Sequence, residues 1–107
     1  MEDSNKHRTG TLSVFGRTIR HDMSNGFPLL TTKKVWFKAA LTEILWILQG
    51  RTDITYLQQH KVHYWDADYK RSGRTDNTLG PVYGKQWRNF GGVDQLKNLL
   101  TEIKSNP

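Results

Sequence analysis

From Lys33 to Gln49 the chain is almost wholly apolar, with Trp36, Ala39, Ala40, Ile44, Trp46 and Ile47 among the residues that leave only a few polar positions between them. The run is longer than a typical strand and shorter than the ~20 residues a membrane span needs, so the pattern predicts a helix. Thr31 or Thr32 stands where an N-cap is expected, and Gly50 stands where a helix of this length would end. A second, shorter helix is predicted from Asp53 to about His60, capped by Thr52 or Asp53. A third is predicted from Val93 to Lys104, where Val93, Leu96, Leu99, Leu100 and Ile103 recur at helical spacing.

Elsewhere the pattern changes. Thr11 to Arg20 is rich in β-branched residues in rough alternation, with Gly16 as a turn or bulge, and predicts two short strands or a hairpin. Asn25-Gly26 and Phe27-Pro28 are turn signals that oppose helix. Asp66 to Thr78 is polar throughout and reads as a mobile, insertion-tolerant loop. Ser105-Asn106-Pro107 follows the last helix with no closing element and reads as a connection rather than an ending.

At 107 residues and 36% hydrophobic, the chain is expected to be one domain or a piece of one. Four Trp, four Tyr and four Phe are too many for a disordered tail. Cysteine is absent, which excludes disulfides, thiolate metal sites and a cysteine nucleophile within these residues. No apolar leader opens the sequence and no membrane span is expected, so the expected location is the cytoplasm. The net charge of +6 favours anionic partners. The basic residues are scattered rather than striped, however, which makes nucleic acid an unlikely partner. The four histidines show no metal-site spacing such as HExxH, and no metal is expected.

Glu43 is the anomaly in the long apolar run. At ~100° per residue, Trp36, Ala39, Trp46 and Ile47 project within about 60° of it, while Lys38, Thr42 and Gln49 gather about 120° away. Glu43 is therefore expected on the apolar side, mostly buried, and in one cavity with Trp65 and Tyr83. Burial disfavours the charged form of a carboxyl group and suits it to exchange protons near neutral pH. A structural Glu, bonded to a backbone group or an Arg, would give the same pattern. Arg8-Thr9-Gly10-Thr11 offers a guanidinium beside a flexible turn, either a phosphate contact or an ordinary surface loop. Leu79 to Arg88 (LGPVYGKQWR) combines backbone-setting Gly and Pro with Tyr83, Trp87 and Arg88, and reads as recognition groups or as a core loop. Trp65-Asp66 is either an aromatic wall for a flat ligand or packing.

In order, RTGTLSVFG, GFPLLTTKK, TEILWILQGRTD, YWD, LGPVYGKQWRNFGG and VDQL followed by IKSNP resemble the consecutive landmarks of the first part of the thymidylate synthases. The resemblance implies an α+β fold: residues 1–107 would be the N-terminal, incomplete segment of a single domain. In it the Thr11 to Arg20 strands would join a mixed sheet, with the Lys33 to Gln49 helix buried and packed across it. It implies transfer of a one-carbon unit from 5,10-methylenetetrahydrofolate to C5 of dUMP, in a homodimer. Arg8 resembles the arginine that contacts the nucleotide phosphate, and Glu43 the carboxylate that organises waters and moves protons. Tyr83 resembles the tyrosine near the reacting pyrimidine, Trp65 an aromatic at the folate pocket, and Lys33 a lysine near the folate glutamate tail. Asp68 occupies a folate-pocket position where many members carry Trp or Asn. The first loop, RTGTLS, is two residues shorter than the usual RTGTGTLS. A deoxynucleotide hydroxymethylase of the same superfamily, acting on dUMP or dCMP, and a stand-alone basic module are the alternatives. With no cysteine, the chain alone is expected to be inactive.

Overall fold

The computed structural model describes residues 13–106, and the chain divides into two compact units, Met1–Lys33 and Lys34–Pro107. In the first, the regular element is a short 3-10 helix, Met23–Asn25, capped by the Asp22 side chain, which accepts from the Ser24 N–H at 2.9 Å. It closes at Gly26, whose φ of 94° suits the expected Asn-Gly turn.

The expected strands are absent. Residues 13–20 are exposed and form no strand, and the only β pairings among the described residues are isolated bridges, Asp53 with Thr78 and Phe90 with Val93. Thr11 and Leu12 lie outside the described residues. The mixed sheet and the α+β reading are therefore corrected: the described chain is helices and turns. A β-branched, alternating segment fits a pleated surface, but it becomes a strand only when a neighbour supplies ladder hydrogen bonds. Among the described residues Val14 and Ile19 have no such neighbour.

The second unit holds five helices: α1 (Phe37–Leu48), α2 (Ile54–Gln59), α3 (Asp66–Ser72), α4 (Tyr83–Arg88) and α5 (Gln95–Ser105). Helix α1 starts later than Lys33, with Trp36 at its N-cap and no side-chain cap, so neither Thr31 nor Thr32 caps it. Val35 and Trp36, β-branched and aromatic, are weaker helix formers than the Lys-Ala-Ala that follows. Its exit is as expected: Gly50 takes φ +71°, and the Arg51 N–H reaches back to the Trp46 carbonyl at 3.2 Å.

One face of α1 carries Ala39, Thr42, Trp46 and Ile47 into the core, where they meet α2 through Ile54 and Leu57, together with Val62. Thr42, expected on a polar seam, is buried and satisfies its hydroxyl by donating to the Lys38 carbonyl at 2.9 Å. Leu41, Ile44, Leu45 and Leu48 remain 37–48% exposed, so α1 is buried on one side rather than packed all round.

The turn into α2 is built on Asp53. Its carboxylate accepts from the Tyr56 N–H and the Thr55 hydroxyl, both at 3.1 Å, and from Arg51 Nε and Nη2, both at 2.8 Å. Arg51 also lies over the Tyr56 ring, 4.5 Å from its centroid. The Arg51 hydrogen bonds hold the Asp53 carboxyl down at about 2, against a smaller opposing effect of burial. A depressed folded-state value adds stability above the unfolded-state value, near 3.9, that disappears as pH falls toward 2. Melting temperature should therefore drop between roughly pH 4 and pH 2, and Asp53→Asn should flatten that part of the profile. An equally steep fall in the variant would assign the loss to other carboxylates.

Asp66 to Ser72, expected as loop, is helix α3. Asp66 and Asp68 lie in its first turn and Lys70 and Arg71 in its last, each complementing the helix dipole. Trp65 and Tyr69, four residues apart, pack on the core and provide the one apolar period the segment has. Arg74 then pairs with Asp76 at 2.6 Å, and Asp76 accepts from the Thr78 N–H at 3.1 Å, so the following turn is ordered by its own side chains. Helix α5 begins after Val93, with Asp94 as cap: its carboxylate accepts from the Lys97 N–H at 3.0 Å and pairs with Arg88 of α4 at 3.1 Å.

Candidate active site

Glu43 sits on α1 between buried Ala39, Trp46 and Ile47, and is itself half-buried. Its carboxylate Oε1 accepts a 2.7 Å hydrogen bond from Trp65 Nε1, across 22 residues of sequence. That bond engages one carboxylate oxygen and leaves the second able to take a further donor. Trp65 stands at the N-terminus of α3, with its ring centroid 6.0 Å from that of Trp46. It also meets Tyr83, at 6.1 Å and 71°, an edge-to-face contact.

Tyr83 opens α4, which lies close to the end of α1 because Gly84 has no side chain: the α-carbon backs directly onto Gly50 and Arg51. Trp65, Tyr83, Pro81, Val82 and Gln86 line an open pocket of about 310 Å³. Its aromatic and apolar walls and single amide suit a flat heteroaromatic ring that also forms hydrogen bonds. Glu43 does not line this pocket; it lies behind Trp65 and touches the site through the indole N–H. Glu43 is thus less buried than expected and does not share the cavity of Trp65 and Tyr83; it bonds Trp65 directly and reaches Tyr83 only through it.

Arg8 falls outside the described residues. Lys33 is exposed, in the first unit. Asp68 is on α3, but its carboxylate accepts from Arg71 Nη1 at 2.9 Å and it is not among the residues lining the Trp65 pocket. Among the described residues no group of three or more His, Cys, Asp or Glu could hold a metal, and no helix is long and apolar enough to cross a membrane. Gln86, Pro81 and Val82 were not singled out individually from sequence, although the segment holding them was. In sequence Trp46 is one apolar residue among many; nothing in the run marks its indole N–H, which donates to the Asp53 carbonyl at 2.9 Å.

Comparison with known proteins gives the family. The family profile described as thymidylate synthase matches residues 1–107. A thymidylate synthase of Mycoplasma genitalium is 46% identical over 128 aligned residues, covering 96% of this chain and 45% of that protein. One from Mesoplasma florum is 43% identical over 124, covering 92% and 43%. The chain thus spans less than half the length of these relatives, and on the family profile and both relatives it belongs to the thymidylate synthase family.

Proposed function

We propose that this chain supplies the N-terminal part of a thymidylate synthase site, which transfers a one-carbon unit from 5,10-methylenetetrahydrofolate to C5 of dUMP. The observation that supports this reading is the short Trp65–Glu43 hydrogen bond beside the Trp65–Tyr83 contact, a carboxylate and an aromatic pocket joined through one indole. The folate, when bound, supplies the one-carbon unit and the hydride. In this reading Trp65 is a wall of its pocket and holds the Glu43 carboxylate by one oxygen. Glu43 orders water and moves protons on the pyrimidine, and Tyr83 borders the reacting ring. Gln86, whose Nε2 donates to the Pro81 carbonyl at 3.0 Å, offers its amide oxygen to a heteroaromatic edge. Lys33 serves the glutamate tail, Arg8 the nucleotide phosphate, and Asp68 the rim of the folate site. A homodimer in the cytoplasm is the assembly and location that go with it.

Activation of C5 requires a thiolate to add at C6, and no cysteine exists among these 107 residues. Tritium release from C5-labelled dUMP in the presence of the folate should therefore stay at background with this chain alone. Binding is the positive test. A nuclear magnetic resonance titration with millimolar folate is expected to move the Trp65 indole and the backbone signals of Val82, Tyr83 and Gln86. Shifts elsewhere but none at these four positions would remove the support for a folate pocket here.

A further inference from the structure

The Glu43, Trp65 and Tyr83 groups are tied together by a residue outside the pocket. Trp46 is fully buried, one helical turn along α1 from Glu43, and its indole N–H is pinned to the Asp53 carbonyl at 2.9 Å. Its ring flanks Trp65 at 6.0 Å and 44°. The Trp65 indole thus packs against both Trp46 and Tyr83 while its N–H points at Glu43, so a shift of either neighbour would be felt by that hydrogen bond.

Asp53, which anchors Trp46, is itself fixed from several directions. Arg51 grips its carboxylate through two 2.8 Å bonds, and the same carboxylate caps α2. The backbone of this turn also reaches toward the Tyr83 side of the pocket. Ile54 N–H donates to the Asn77 carbonyl at 2.9 Å, Leu79 N–H donates to the Thr52 carbonyl at 2.8 Å, and Asp53 bridges Thr78. Residues 77–79 lead through Gly80, Pro81 and Val82 into Tyr83. One node thus connects to Glu43 through Trp46 and Trp65, and to Tyr83 through Thr78.

We infer that Asp53, clamped by Arg51, and Trp46 are positioning residues that set the placing of the Glu43 carboxylate and the Tyr83 ring against Trp65. Neither touches the pocket: Asp53 acts through Trp46, and Trp46 acts through the Trp65 indole. The functional meaning of this arrangement rests on the reading of Glu43 as the proton-moving group; the geometric claim does not.

A residue with only a packing role lowers stability and leaves the Trp65 indole where it was, which separates the two cases. Trp46→Phe removes the N–H while keeping an apolar ring, and Arg51→Met removes the guanidinium at a site whose side chain is 40% exposed, so this second variant tests the node even where the first does not fold. Leu57→Val, in the same core but off the Asp53–Trp46–Trp65 path, is the control for lost packing. In the ligand-free chain, both test variants should shift the Trp65 indole N–H and the Glu43 carboxyl-carbon resonances. They should also speed exchange of that N–H by about tenfold or more, as expected for a weakened hydrogen bond to a charged group. They should weaken the cross-relaxation between the Trp65 and Tyr83 rings, while Leu57→Val leaves all of these as in the parent. If Arg51→Met loses stability as Leu57→Val does and keeps the parent's Trp65 and Glu43 signals, the positioning role is wrong. No ligand enters this measurement, so a failed folate titration leaves it standing, and its own failure leaves the folate reading untouched.

Discussion

Trp46→Ala should lower the stability of the second unit by about 3–5 kcal/mol, the range seen when a large buried aromatic is cut back to a methyl group. Trp46 is fully buried and is the largest side chain among the six buried apolar residues of the described chain, Ala39, Trp46, Ile47, Ile54, Leu57 and Val62. Losing it leaves a cavity facing Trp65 and removes the donor from the Asp53 carbonyl. Domains of this size are typically stable by only about 5–15 kcal/mol, so the variant should lose a large share of its stability. Urea denaturation followed by circular dichroism reads the effect, with Leu99→Ala, at a position 52% exposed, as the near-neutral comparison. A midpoint for Trp46→Ala close to that of Leu99→Ala would mean that the indole is not the centre of this core.

Gly84→Ala offers a contest between two effects of opposite sign. Inside a helix, alanine is more favourable than glycine by about 1 kcal/mol, so propensity alone makes the substitution stabilising. Packing says the reverse. A β-carbon at Gly84 would collide with the Arg51 carbonyl oxygen and sit 2.9 Å from both the Arg51 nitrogen and the Gly50 carbonyl carbon, all of them backbone atoms that cannot rotate away. Relief requires α4 to move off α1, which carries Tyr83 away from Trp65. The cost of such overpacking is about 1–3 kcal/mol or more, larger than the propensity gain. Thermal unfolding should show a lower midpoint, and the tryptophan emission should change as the Trp65–Tyr83 contact opens. A raised midpoint would show that α4 does not depend on this close approach.

Sequence alone was enough where the signal is local. The spacing of apolar residues marked α1, α2 and α5. Asp53 at the start of α2 and Gly50 at the end of α1 were legible because a cap needs only a side-chain acceptor, or a residue tolerant of positive φ, at one position. Glu43 stood out because a carboxylate among Ala39, Trp46 and Ile47 breaks the period of its own helix. The order of short motifs from Arg8 to Pro107 was sufficient for family membership.

Other features needed neighbours that no single segment contains. The β-rich pattern from Thr11 to Arg20 carried no information on whether a partner strand exists, and among the described residues none does. Helix α3 was hidden by its polar composition, since only the burial of Trp65 and Tyr69 against a core made by other helices distinguishes it from a loop. The partner of Glu43 lies 22 residues away on a different helix, and its direction is set by Trp46 and Asp53 through contacts that no sequence period encodes. Which face of α1 is buried was decided in the same way. Helical periodicity set Lys38, Thr42 and Gln49 apart as a polar seam, yet Thr42 is buried while Leu41, Ile44 and Leu45 stay exposed; the packing of α2 and α4 decided this, because burial is a property of what arrives opposite a side chain and not of the side chain itself.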